Sequence, residues 1–262
     1  MINTIIKFYR ILFARTVFHK LNKLIFRCSL SGLGILNYES WAASGEVRFL
    51  KSFLKNRVDG IVIDVGANVG NYSKQVIDIN KSITVYAFEP HPKTFAKLSA
   101  IIGKNFHPVN AAISNEEEVL TLYDYELKDG SAHASLYKGV IENIHNSNAV
   151  EHKVRVCCLT EFAKSKNIQK IDLLKIDTEG NELNVLKGVT EFIQSAKIEA
   201  IHFEFNEMNV CSRTFFRDFW DILPNYDFFR LLPTGMLKIE RYSPLYCEIF
   251  AYQNIVAILK HR

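Results

Sequence analysis

From about residue 58 onward, short apolar runs alternate with amphipathic ones, and this alternation constrains the fold more than any other feature of the chain. "VDGIVIDVG" closes on Asp64 and Gly66 and leads into the helix-like "NYSKQVIDIN". "SITVYAFEP" is stopped by Pro90, and "HPKTFAKLSAII" then places Phe95, Leu98, Ile101 and Ile102 at helical spacing before Gly103. "FHPVNAAIS" reads as a third strand and "EVLTLYDY" as an added one. "IDLLKID", "IEAIHFEF", "YDFFRLL" and a closing "NIVAILK" follow. Strands alternating with helices at this spacing predict an α/β domain around a mostly parallel sheet. Several runs are apolar at consecutive positions, as expected when helices cover both faces of the sheet. The polar stretch 124–150 predicts a loop or partial lid.

Ligands of open α/β sheets bind beyond the carboxyl ends of the strands. The residues at those exits are Asp64 with Gly66 and Gly70, Glu89, Asn110, Asp177 with Glu179, and Glu204 with Asn206. So many acids and amides at strand exits predict a single site. In "DVGANVG" the first glycine permits a tight strand-to-helix turn. The spacing is not the GxGxxG dinucleotide fingerprint, because Asn68 stands where the middle glycine would be. Asp64 before the turn disfavours a pyrophosphate and suits an ammonium group, while Glu89 is placed to accept both hydroxyls of a ribose. Turn, acid and ribose acceptor together point to S-adenosylmethionine (SAM) ahead of NAD. The structural alternatives are a helix cap for Asp64 and a surface carboxylate for Glu89.

Methyl transfer from a sulfonium depends largely on positioning, and a weakly nucleophilic hydroxyl gains from a general base. Asp177, ending the fourth principal strand, is the first candidate. Glu179 is read either as orienting acceptor hydroxyls or as capping the following helix. Glu204 either flanks the acceptor or pairs with a cation from an arm or loop. His133 in "GSAHASL" is a second candidate base if that segment folds over the site, and otherwise a solvated loop histidine. His202 is expected behind Glu204 and His91 in a turn. Tyr246, Tyr252 and Asn254 are read as a sugar-binding wall or as core. The spacing of the acids specifies no metal ligand set, and none is expected.

Composition bears mainly on the N-terminus. The net charge is +4 over 262 residues. Lys7, Arg10, Arg15, Lys20, Lys23 and Arg27 supply +6 before the first acid, Glu39, so the remainder carries −2 and no nucleic-acid surface is indicated. In "MINTIIKFYRILFARTVFHKLNKLIFRCSL" a cation recurs every few positions, so no uncharged run approaches the roughly 20 residues that span a bilayer. At 100° per residue, Ile2, Ile5, Ile6, Tyr9, Leu12 and Phe13 share one face, and Val17, Phe18, Leu21, Leu24 and Ile25 another. Two short amphipathic segments are predicted. They suit an anionic membrane surface through residues 1–30, or packing on the domain or a second subunit. Five cysteines without a CxxC pair indicate a reducing compartment.

"VIDVGANVGNYS", "VYAFEPHP", "VNAAIS" and "IDLLKIDTEGNELNVLKG" resemble, in order, the motifs of the FkbM-type SAM-dependent methyltransferases, and the likeness covers about residues 44–260. It implies a class I, Rossmann-like fold: a seven-stranded, mostly parallel sheet with its last strand antiparallel and helices on both faces. It also implies methyl transfer to oxygen, often on a sugar. On that basis Gly66, Asn68 and Gly70 border the methionine part of SAM, Glu89 holds the ribose, and Asn110 with Ala111 lies by the adenine. Asp64, Ala67, Tyr72 and Pro90 complete the expected cofactor site. The long basic arm departs from the family pattern. The expected organisation is an amphipathic arm over 1–43 and a methyltransferase domain over 44–262. The expected acceptor is a sugar hydroxyl of a bacterial surface glycan (O-antigen, capsule or exopolysaccharide) or glycolipid, and the expected location is cytoplasmic, peripheral on the inner face of the membrane. A small secondary metabolite as acceptor, a silent SAM-binding membrane-associated subunit, and an NAD-dependent oxidoreductase are the alternatives.

Overall fold

A computed structural model describes residues 1–260; the last two positions of the expected 44–262 domain lie outside the described residues. Among the described residues eleven strands form two sheets. β1 (Ile61–Val65), β2 (Thr84–Phe88), β3 (Phe106–Val109), β7 (Ile171–Ile176), β8 (Ile198–Phe205), β9 (Tyr226–Leu232), β10 (Gly235–Ile239) and β11 (Gln253–Leu259) make the main sheet. Its order is β10-β9-β11-β8-β7-β1-β2-β3. β3, β2, β1, β7 and β8 run parallel to one another, and β11 lies antiparallel between β8 and β9. The main sheet has eight strands where seven were expected, because β10 adds to it as the hairpin partner of β9. Its half-exposed alternation is that of an edge strand.

Consecutive apolar residues face opposite layers. Leu173 of β7 joins Phe49, Leu50, Val62, Val76 and Leu98 on one side of the sheet. Leu174 and Ile176 join Val185, Phe203, Phe205, Phe216 and Phe219 on the other. The helices are α1 (Ile2–Phe13), α2 (His19–Gly32), α3 (Glu46–Leu54), α4 (Asn71–Ile79), α5 (Pro92–Leu98), α6 (Leu159–Ser165), α7 (Glu182–Lys187), α8 (Thr190–Gln194), α9 (Met208–Ser212), α10 (Phe216–Ile222) and α11 (Pro244–Cys247).

The stretch read as one third strand divides. β3 stays in the main sheet, whereas β4 (Ala112–Ser114) joins a second sheet of order β4-β6-β5 with β5 (Glu118–Tyr125) and β6 (Ala149–Cys158). Between β5 and β6 the chain folds back as the expected irregular segment, and Ser135 bridges to Tyr123.

At the N-terminus α1 buries no residue and α2 buries only Leu30. From Gly34 onward the chain is fastened to the sheet. A Cβ on Gly34 would lie 2.6 Å from the Leu231 carbonyl oxygen, and one on Gly45 would lie 2.4 Å from that of Leu232. Leu36 N–H donates to Tyr252 O at 2.7 Å. These contacts fasten residues 34–45, a strap within the segment expected as an arm over 1–43, to the sheet.

Candidate active site

The order of the main sheet reverses at β1: the chain builds β2 and β3 on one side and later β7 and β8 on the other. The carboxyl ends of β1 and β7 therefore diverge into a crevice, the usual ligand position in such a sheet. A cavity of about 420 Å³ opens there, within the roughly 300–1,000 Å³ of small-molecule sites.

The glycine turn forms its floor. Gly66 has φ +81°, and a Cβ there would lie 1.7 Å from the Asp177 carbonyl oxygen, so the turn closes only around a hydrogen. Gly66 and Ala67 N–H both donate to Phe88 O, tying the exits of β1 and β2 together. Gly70 (φ +82°) starts α4, and Ile101 and Leu98 fill the space its side chain would need. Asp64 is buried and accepts from Ser73 Oγ at 2.6 Å; burial pushes its carboxyl up to about 6. Glu89 accepts the backbone N–H groups of Asn68 and His91, one on each oxygen and both at 2.8 Å. The carboxylate is thus fixed with a lone pair free on each oxygen, and burial raises it to about 7. Ala67, Asn68, Tyr72, Pro90 and Ala111 also line the cavity. Asn110 does not: its amide donates to Glu89 O and Pro90 O, holding the β2 exit from outside. Gly70 likewise acts from beneath and is not part of the wall.

The opposite wall holds Asp177, Glu179 and Glu204 together with Lys175, whose importance the sequence reading missed. Lys175 lies within the apolar run "IDLLKI" of β7. Its ammonium is 3% exposed and stands 3.5 Å from Asp177 Oδ2 and 3.8 Å from Glu204 Oε1. Burial alone would lower it, but Asp177, Glu204, Glu46 and Asp64 hold it above its ordinary value, and so charged. Nζ has no hydrogen-bond partner among the described residues, so it retains donors for a ligand in the cavity. Glu204 is raised well above its usual range by burial and Asp177, against the pull of Lys175. Its cation is thus a neighbouring strand residue, where an arm or loop had been expected. Asp177 is the more accessible of the two acids, 34% against 13%.

Glu179 sits at φ +52°, a costly conformation for a residue with a side chain. It does not cap α7. The turn is held by Glu182, whose Oε1 accepts Thr178 N–H, Thr178 Oγ–H and Gly180 N–H, each at 3.0 Å. Glu179 is free to point into the cavity and is raised to about 7 by burial, with His133 Nδ1 at 3.2 Å from its Oε1. His133 does not line the cavity; it backs Glu179, while Ser131, Ala132, Ala134 and Leu136 of the same segment form the wall.

The strap adds Tyr38, Glu39, Ser40, Trp41, Ser44 and Glu46, none of which was expected in the site. His202 is buried and held neutral by burial and by Lys175. It connects Tyr72 OH (3.0 Å) to Asn254 Oδ1 (2.8 Å), and Asn254 in turn donates to Tyr252 OH. Of the three residues read as a sugar wall, Tyr252 lines the cavity, Asn254 supports it from behind, and Tyr246 points away into solvent.

The sequence from Asp64 to Phe229, spanning both ends of this cavity and most of the main sheet, matches the Methyltransferase FkbM domain. The chain belongs to the FkbM methyltransferase family. Among curated relatives, the hexuronic acid methyltransferase AglP of Haloferax volcanii is 25% identical over 140 residues, covering 52% of this chain and 53% of that protein. The 2-O-methyltransferase NoeI of Sinorhizobium fredii is 21% identical over 202 residues, covering 70% and 79%. Methyltransferase 1 of Beauveria bassiana is 24% identical over 148 residues, covering 51% and 59%. The chain spans little more than half the length of the first and third of these. As an FkbM family member it is expected to use SAM, and its cavity fits that ligand. The Gly66 turn borders the cavity, Glu89 presents two free lone pairs, and the acidic side chains that line the cavity supply oxygen acceptors for the ammonium and hydroxyl groups of the ligand.

Proposed function

We propose that this chain is a SAM-dependent O-methyltransferase acting on a sugar hydroxyl of a surface glycan or glycolipid. The observation that carries this reading is the meeting, in one cavity, of the Gly66 turn and Glu89 with the group formed by Asp177, Lys175 and Glu204. Bound SAM supplies an electrophilic methyl group on its sulfonium. Glu89 accepts the ribose hydroxyls, and Gly66, Ala67, Asn68, Tyr72 and Pro90 enclose the rest, with Ala111 toward the adenine. Asp177 takes the proton of the acceptor hydroxyl, Lys175 fixes Asp177 and Glu204, and Glu179, oriented by His133, binds a further acceptor hydroxyl. General-base assistance of this kind contributes roughly 10²–10⁴-fold.

The excess of acids narrows the acceptor class. Among the described residues, Glu39, Glu46, Asp64, Glu89, Asp177, Glu179 and Glu204 line the cavity and Lys175 is its one cation. A carboxylated sugar would bring one more acid beside Glu179 and Glu204, which burial already raises because a charge is costly there, whereas a neutral or amino sugar would meet acceptors for its hydroxyl or ammonium groups. Incubating the protein with methyl-labelled SAM and glycan fractions of neutral, amino and uronic sugars tests this. Label in the first two fractions is expected; transfer to none would overturn the enzymatic reading, and transfer to uronates alone would overturn the acceptor class.

The arm suggests where the reaction is carried out. No helix among the described residues is long and apolar enough to cross a membrane. Ile2, Ile5, Ile6, Phe8, Ile11 and Leu12 are nevertheless exposed on α1, and Leu21, Leu24, Ile25 and Phe26 on α2, beside six cations. Such helices bind anionic interfaces through apolar insertion and charge together. Removal of residues 1–30 is expected to abolish co-sedimentation with vesicles containing phosphatidylglycerol while leaving SAM binding intact. Unchanged co-sedimentation would rule out the arm as the membrane contact.

A further inference from the structure

A cluster of metal-ligating side chains lies outside the cavity wall. His91 follows Glu89 and Pro90 and precedes α5, Asp129 lies in the segment between β5 and β6, and His152 is on β6. His91 Nε2 and His152 Nε2 each approach Asp129 Oδ1 at 2.7 Å. The two rings meet at 67° with centroids 4.5 Å apart, so their edges converge on one oxygen. The three ligand atoms lie within 4.8 Å of one another. His91 is fully buried, while His152 and Asp129 are 20% and 16% exposed. Asp124 Oδ2 stands 3.4 Å from His91 Nε2 as a further oxygen. Asp124 is itself fixed by Gly130 N–H, Ser131 N–H and the Ser131 hydroxyl. Lys93 Nζ contacts the other Asp129 oxygen at 2.7 Å.

We propose that His91, His152 and Asp129 form a binding site for a transition-metal ion, with Zn²⁺ the best chemical match. Two imidazole nitrogens and one carboxylate oxygen are a ligand set that Zn²⁺ accepts readily, with the fourth position left to Asp124 or water. Tetrahedral bonds of about 2.0–2.1 Å place ligand atoms about 3.3 Å apart. Metal entry therefore replaces the protons now shared between each imidazole and Asp129 and opens the 2.7 Å contacts slightly. Lys93 and the backbone donors on Asp124 supply the outer hydrogen bonds that orient carboxylates around a metal. Positions 91, 129 and 152 are too widely spaced to form a sequence motif, and the fold alone brings them together.

The site would link two parts of the cavity. His91 is two residues from Glu89 and donates its backbone N–H to that carboxylate. Asp129 lies just before Ser131, Ala132, Ala134 and Leu136, which form one wall. A metal here fastens that wall to the ribose acceptor and is expected to tighten S-adenosylhomocysteine binding several-fold. This last step rests on the SAM reading, whereas metal binding itself does not.

The test uses the full-length protein after dialysis against a chelator. Titration with Co²⁺ alone is followed by its visible ligand-field absorption, and Zn²⁺ is then added in competition. One equivalent of tetrahedral Co²⁺ displaced by Zn²⁺ is expected. In His152→Gln and Asp129→Asn, checked for unchanged metal-free melting, affinity should fall by at least on the order of tenfold, since each removes a charged or coordinating ligand. Absence of ligand-field bands and of Zn²⁺ uptake in the wild type would overturn the site, as would wild-type binding by both variants. Metal binding with unchanged S-adenosylhomocysteine affinity would keep the site and overturn only its coupling to the cavity.

Discussion

Glu89→Ala is expected to weaken S-adenosylhomocysteine binding by about 10²–10⁴-fold in a calorimetric titration, since hydrogen bonds to a charged group are worth roughly 1.5–3 kcal/mol each and two ribose hydroxyls lose their acceptor. The same substitution strands the backbone N–H groups of Asn68 and His91, so the turn that borders the ligand loosens as well. Burial raises Glu89 to about 7, and this predicts a pH dependence with a definite sign. The ligand needs the carboxylate, so affinity should be flat above about pH 8 and fall below pH 7, approaching tenfold per pH unit for a single required group. Asp64 and Glu179 also titrate near this window; Glu89→Gln isolates the Glu89 contribution by removing it from the profile. The stability of the unliganded protein should move the other way. Between the ordinary value of 4.5 and about 7, folded Glu89 holds a proton that the unfolded chain has released, so its contribution to stability falls as pH rises through that window. An unchanged affinity in Glu89→Ala would remove the ribose assignment, and a pH-independent wild type would show that Glu89 is not the titrating acceptor.

Much of the cofactor half was legible because its residues sit where apolar strands end. Asp64, Gly66 and Glu89 each interrupt a buried run at the point where the chain reaches the surface, a change visible without any tertiary information. The same holds for Asp177 and Glu204. Lys175 was hidden by the same pattern. It lies one residue inside β7, between apolar neighbours, and only the pairing of β7 with β8 and β1 brings Glu204 and Asp64 around it. The role of Glu182 was obscured by Glu179, which stands closer to the strand exit. The positive φ at Glu179 turns its side chain away from the helix and leaves the backbone donors to Glu182. The strap residues Tyr38 to Glu46 carry no periodicity to read, because they are held by the ends of β9 and β11, nearly two hundred residues later in sequence. The family resemblance puts Asn110 by the adenine; in the fold its amide donates to the carbonyls of Glu89 and Pro90, a contact that no local pattern announces.

Asp177→Asn is expected to lower kcat by roughly 10²–10⁴-fold, the usual worth of a general base, while S-adenosylhomocysteine affinity changes little. Asparagine keeps the size and one acceptor oxygen of Asp177 but cannot take the proton, so a loss confined to kcat would separate proton transfer from binding. A wild-type kcat in this variant would exclude Asp177 as the base, and the same substitution at Glu204 would then be the test of its neighbour. Lys175→Met examines the pair from its other side. Removing one partner of a buried ion pair typically costs about 3–5 kcal/mol, so a lower Tm is expected, and rates must be compared well below the variant's own transition. The informative readout is kcat set against Tm. Lys175 lies 3.5 Å from Asp177 and 3.8 Å from Glu204, and so fixes where both carboxyl groups stand. Without that ammonium the base loses its position, and kcat should fall while S-adenosylhomocysteine affinity changes little, since catalysis of this kind depends on placement. A purely structural lysine would lower Tm and leave kcat unchanged below the transition. A kcat-specific loss in both Lys175→Met and Asp177→Asn would assign the proton to Asp177 and its placement to Lys175.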